Sequence, residues 1–183
     1  FRAFLGTRGA YVGLLFALLP AGAMALGLAL QSTLAVELGF DDNQVAQLNL
    51  WALLVNAVFT VIGGQLSDKF GRRRMLAIYV ALMTPPTIWL ALELSKYGWV
   101  MPVDVDAPGR PAVPAALVTA MWITVIAYNV GNGLMYGTRS AMFMDVTDPR
   151  VAATQFTAYM ALMNLSIAMS ASWQGIAAEA IGY

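Results

Sequence analysis

The chain has 183 residues, 60% of them apolar and only 11% charged, with a formal net charge of zero and neither cysteine nor histidine. That balance argues against nucleic-acid binding, leaves no disulfide or thiolate metal site, and removes the usual proton shuttle. Five uncharged runs of 18 to 28 residues are too long and too many for a soluble core of this size, and they read as membrane spans. The expected fold class is therefore an all-α membrane protein sitting in a lipid bilayer.

Arg2 and Arg8 among apolar residues form an amphipathic lead-in. The first span is expected over 11–33, with Pro20 and Gly22 loosening it. Its far end, Gln31-Ser32-Thr33, is followed by Glu37, Asp41 and Asp42, an acidic end. Asp41 or Asp42 caps the second span, 43–66. On it Asn49, Asn56, Thr60, Gly63 and Ser67 share one face, read here as helix packing because small and polar residues mark membrane helix contacts. The third span, 73–93, contains Pro85-Pro86 and is bland enough to face lipid. A loop over 93–114 carries Asp104, Asp106 and Arg110, with Tyr97 and Trp99 as headgroup-level anchors.

The fourth span, 113–143, is the most polar inside. Asn129, Asn132, Tyr136 and Arg139 fall within about 80° of one another on a helix, with Tyr128 on a neighbouring face. Gly133 and Gly137 make a helix-contact pattern beside them. The fifth span, 151–178, follows Asp145-Val-Thr-Asp148-Pro149-Arg150. Threaded this way, one side of the membrane holds eight of the ten basic residues and the other holds Lys96, Arg110 and most acids. The basic side is expected to be cytoplasmic, which puts loop 67–74 inside and loop 93–114 outside.

The densest basic cluster lies in Gly64-Gln65-Leu66-Ser67-Asp68-Lys69-Phe70-Gly71-Arg72-Arg73-Arg74-Met75-Leu76. This stretch resembles, at every defining position, the signature loop of the major facilitator superfamily of transporters, G-x-L-x-D-[RK]-x-G-R-[RK]-x-x-L. Gly64 is expected to let two helices approach and Gly71 to make a tight turn. The resemblance implies a conformational latch built from Gly64, Asp68, Gly71, Arg72 and Arg73, joined by Asp145 and Arg150 at the end of the fourth span. Asp145 is expected to contact Arg72 or Arg73. It also implies five helices of a six-helix half, with the other half of the transporter as a partner. The first residue is Phe and no signal peptide precedes the first span, so the chain reads as a fragment of something longer, the C-terminal half. The segment Asp148-Pro-Arg-Val-Ala-Ala-Thr-Gln-Phe156 is similar to the corresponding region of muropeptide permeases and related peptide and acetyl-CoA transporters.

By the same resemblance the first and fourth helices line the substrate cavity, the second and fifth meet the other half, and the third is peripheral. Gln31, Asn129, Asn132, Tyr136 and Arg139 are the cavity candidates for a small-molecule substrate, because amides both donate and accept. Arg139 has competing readings. A basic group at mid-bilayer costs at least about 2.5 kcal/mol, so it is expected to snorkel to the surface or pair with Asp145, or else to bind an anion in the cavity. No carboxylate lies in the middle of a span, so a proton-carrying site is not evident here. The expected function is secondary transport by alternating access in a bacterial inner (plasma) membrane, of a muropeptide or peptide-like solute. The alternatives are a sugar or drug transporter of the same superfamily, or a non-transporting scaffold. Catalytic residues, metal ligands and cofactors are expected to be none, since no nucleophile motif or intramembrane acid pair is present.

Overall fold

The computed structural model describes residues 8–18, 31–102 and 112–182. Among them all regular structure is helical: α1 (Arg8–Leu18), α2 (Asp42–Phe70), α3 (Arg72–Leu82), α4 (Thr84–Lys96), α5 (Ala115–Val146) and α6 (Ala152–Ile181). Residues 31–37 are also helical, so helix continues past the expected end of the first span at 33. Pro20, Gly22, Asp104, Asp106 and Arg110 lie outside the described residues. Three stretches are long and apolar enough to cross a membrane: Asp42–Phe70, Arg72–Lys96 and Ala115–Val146. The helix α1 is shorter and apolar. At 30 residues α6 is long enough, but Gln155, Asn164, Ser170 and Gln174 dilute its hydropathy and it is not among the three.

The boundaries follow from local chemistry. Asp41 caps α2: its carboxylate accepts from the Gln44 amide at 2.7 Å, and the Gln44 side chain accepts from the Asp41 amide at 3.0 Å. This reciprocal box satisfies two donors that a helix start leaves free. Gly71 separates α2 from α3 at φ +94, a conformation that costs glycine little. The expected third span is broken at Met83 rather than continuous. Pro85 and Pro86 have no N–H to offer the carbonyls of Ala81 and Leu82, and they sit instead in the first turn of α4, where none is needed. Beyond α4, Gly98 at φ +71 turns the chain back, and the Trp99 amide donates to the Leu94 carbonyl at 2.8 Å. Trp99 is therefore buried among Leu38, Phe40, Leu94 and Leu117. Its expected role as a headgroup anchor is corrected, while Tyr97 stays exposed.

Helices α2 and α5 form the tightest pair. A Cβ on Gly63 would run into the Leu134 backbone, one on Gly133 into the Asn56 carbonyl, and one on Gly137 into the Thr60 carbonyl. Glycine is what lets the two backbones meet. The expectation for Gly64 is corrected here: a Cβ there would meet nothing within 4 Å, and Gly63 is the close-approach residue. On the other side α1 packs on α6, with Gly13 against the Tyr159 ring. Outward faces are apolar, with Trp51, Leu53, Val58 and Val61 exposed on α2, and Met169, Trp173 and Ile176 on α6. Such faces suit lipid or another apolar surface rather than water.

Candidate functional site

A groove of about 400 Å³ opens between residues 31–37, α2, α5 and α6. Gln31, Asn129, Asn132 and Tyr136, expected to act together, all line it. Asn49 and Asn56, read from sequence as part of a packing stripe, line it too. Asn56 does both: its carbonyl faces Gly133 in the helix seam, and the residue is part of the groove lining. Ser32 and Asn164 also line the wall and were not foreseen. The signal for Asn164 was its isolation in the apolar run Leu162-Met163-Asn164-Leu165.

The groove presents amides with little charge around them. Gln31 Nε2 donates to Asn49 Oδ1 at 3.3 Å and ties its segment to α2. Asn129 Nδ2 donates to its own helix, to the Val125 carbonyl at 2.8 Å. Asn132 is 7% exposed, and its Oδ1 has no hydrogen-bond partner. A buried acceptor without a donor is costly and stands out in a folded protein. No Asp, Glu, Lys or Arg is among the described lining residues. The site can therefore bind neutral groups that donate and accept hydrogen bonds, above all hydroxyls and amide N–H.

Arg139 lies elsewhere. It is 1% exposed, so it does not snorkel, and it is not among the groove's described lining residues. Its Nη2 donates to the carbonyls of Phe16 at 3.3 Å and Ala17 at 3.2 Å. The guanidinium carbon sits 5.6 Å from the Phe16 ring centroid and 5.5 Å from that of Phe143. The reason is packing: α1 covers this face of α5 and supplies carbonyls and a ring before the side chain can reach the surface.

A charge cluster marks the end with the α2–α3 turn. Arg72 donates to Asp68 Oδ1 from Nε at 2.9 Å and Nη2 at 2.7 Å. Its Nη1 pairs with Asp145 and donates to the Ala141 carbonyl at 3.2 Å. One planar fork thus joins the α2–α3 turn to the end of α5. The Asp68 and Asp145 side chains are 59% and 56% exposed, so solvent screens the pairs and each is weak alone. Arg73, Arg74 and Arg150 make no ion pair among the described residues. Arg150 instead gives its backbone amide to Asp148 Oδ1 at 2.9 Å, and buried Gln155 accepts from the Asp148 amide at 2.7 Å. Gln155, unremarked as a site residue, fixes the turn into α6. Among the described residues no group of three or more His, Cys, Asp or Glu is placed to hold a metal ion.

A family model described as "Sugar (and other) transporter" matches residues 10–180. No curated protein and no solved structure matches the chain.

Proposed function

The chain belongs to the sugar (and other) transporter family, within the major facilitator superfamily, and from that premise we propose that its amide-lined groove is one wall of a solute path worked by alternating access. It is an integral membrane protein of a class that moves solutes rather than converting them. The observation that carries the reading is Asn132: a buried amide oxygen without a donor, on a groove wall shared with Gln31, Asn49, Asn56, Asn129 and Tyr136. The solute is expected to supply hydroxyl or N–H groups to this wall, and Asn132 Oδ1, shielded in the state described, is expected to gain its donor when the helices part. In a muropeptide, which the Asp148–Phe156 resemblance favours, the N-acetylated sugar part has that chemistry. A simple sugar is the second reading, favoured by the family's description.

The basic loop 67–74 is proposed to face the cytoplasm, by the positive-inside rule. On this reading the Arg72–Asp145 pair holds the ends of α3 and α5 together in one state and parts in the other. A second half of the fold is the proposed partner, meeting the exposed apolar faces of α2 and α6. The reading is tested by uptake into membrane vesicles carrying the protein, with a tritiated muropeptide and a tritiated hexose as probes. Saturable uptake of one, competed by its unlabelled form, is expected. Vesicles that take up neither, and bind neither, would overturn it.

A further inference from the structure

The end with the α2–α3 turn carries more positive charge than its acids use. The acids there are Asp68, Asp145 and Asp148. The first two pair with Arg72, and Asp148 accepts from the Arg150 backbone amide. Lys69, Arg73 and Arg74 are exposed and have no ion pair among the described residues. Lys69 Nζ lies 5.5 Å from the centroid of the Phe70 ring, which is itself 55% exposed. A Cβ on Gly71 would meet nothing within 4 Å, so the turn is open.

The depth of this patch is set by the helices on either side. Asp42–Phe70 and Arg72–Lys96 are candidate spans of 29 and 25 residues, about 43 and 37 Å long. Hydrocarbon is only roughly 30 Å thick, so their ends stand among the headgroups. Phe70 suits that level as an aromatic anchor does. The cations there meet lipid phosphates, which arginine grips with a planar fork.

Below the charge the same face is apolar. Ile78 and Ala81 follow Arg74 by four and seven residues, which puts the three within about 60° of one another on α3. Both are exposed. Ala81 opens the rim of a notch of about 600 Å³ at the Met83 break, completed by Thr84, Pro85, Ile88, Trp89 and Leu92. Ala81 lies about 10 Å along the axis from Arg74, within reach of an acyl chain in a leaflet whose hydrocarbon is roughly 15 Å deep. Any lipid tail can cover an apolar notch. The headgroup decides which lipid stays.

We propose that α3 and α4 form a docking site for one anionic phospholipid. Lys69, Arg73 and Arg74 hold its headgroup, and an acyl chain lies along Ile78 into the notch at the Met83 break. Each cation near the surface strengthens the attraction about fivefold. The site rests on the chain's being a membrane protein. It needs neither a particular solute nor a particular orientation of the loop, so failed uptake and failed lipid docking are separate results.

The test is photocrosslinking of the protein in phosphatidylcholine nanodiscs. A trace of phosphatidylglycerol with a diazirine on its acyl chain is compared with phosphatidylcholine carrying the same chain. Labels on residues 81–92 are expected to be at least about tenfold more abundant with the anionic probe, and labels on residues 50–58 of α2 equal for the two. In Lys69→Gln/Arg73→Gln/Arg74→Gln the preference at 81–92 is expected to fall to within about twofold, although the substituted residues lie a turn or more away from the labelled notch. Equal labelling by both probes, or a preference that survives the triple substitution, overturns the proposal. So does loss of the preference to inorganic phosphate at matched ionic strength, the mark of a site for a free anion. Where the triple variant does not fold, the unsubstituted protein is titrated with salt. At about 0.5 M NaCl the preference is expected to shrink severalfold, and a preference indifferent to salt would overturn the role of the cations.

Discussion

On one face of α5, Gly133, Gly137 and Thr138 bring its backbone hard against α2, whereas a short rotation away Asn129, Asn132 and Tyr136 line a groove together with residues of the same helix. The same two helices close and open within a few residues, and side-chain size decides which. Where glycine removes the Cβ, the backbones meet. Where amide-bearing residues replace glycine, the residues border a gap instead. Thr60 and Gly63 of α2 serve the first arrangement and Asn49 the second. The difference separates fold from work: the seam sets backbone against backbone, while the groove wall holds a buried acceptor that has no donor.

The seam is the place to break first. Gly133→Leu drives a side chain into the Asn56 backbone, which cannot swing aside as a side chain would. A loss of about 3 kcal/mol or more is expected, seen as aggregated protein on size exclusion. Gly64→Leu is the control, since its Cβ side is open, and it is expected to keep a melting temperature near that of the parent. Equal damage from both would mean that close approach at Gly133 is not what the seam requires.

The groove answers differently. Asn132→Leu removes the unpartnered Oδ1 at similar volume and is expected to leave melting unchanged or raised, because an unsatisfied buried group disappears. Uptake is expected to fall at least about tenfold, the worth of one good hydrogen bond to solute. Lower stability with normal uptake would place Asn132 in the seam's category. At the end of the same helix, Asp145→Asn leaves Arg72 its pair with Asp68. Its cost in stability is expected to stay below about 1 kcal/mol, as for other solvent-exposed pairs, while transport slows. Folded protein with unchanged uptake would exclude the latch.

Much of this contrast was legible in the chain. The uncharged runs at 43–66 and 113–143 match α2 and α5, Asp41 announced its cap, and the spacing put Asn129, Asn132 and Tyr136 on one face, together with Arg139, which packs elsewhere. The Arg72–Asp145 contact followed from the topology and the resemblance together. What escaped depended on rotation and on partners. Gly63 and Gly64 differ by 100° around the helix axis, and only the position of α5 says which of them touches it. Trp99 turns inward because the Gly98 turn folds the chain back onto the core of Leu38, Phe40, Leu94 and Leu117. Arg139 could not be assigned, since its acceptors are backbone atoms on another helix, and backbone carbonyls leave no trace in sequence.

Thr138 sharpens the comparison most finely, because it adds a polar group to the seam itself. Its hydroxyl lies 3.2 Å from the Gly63 carbonyl and 3.1 Å from that of Leu134. If hydrogen bonding held the two helices, Thr138→Val would be nearly as damaging as Gly133→Leu. Interhelical hydrogen bonds in membranes average only about 0.6 kcal/mol, because the groups also find partners when the helices are apart in the membrane. Thr138→Val, which keeps the shape, is therefore expected to shift stability by about that amount in a detergent-unfolding titration. A loss above about 2 kcal/mol would exceed what such a bond supplies and would make the hydroxyl, rather than the missing Cβ atoms, the reason the helices meet.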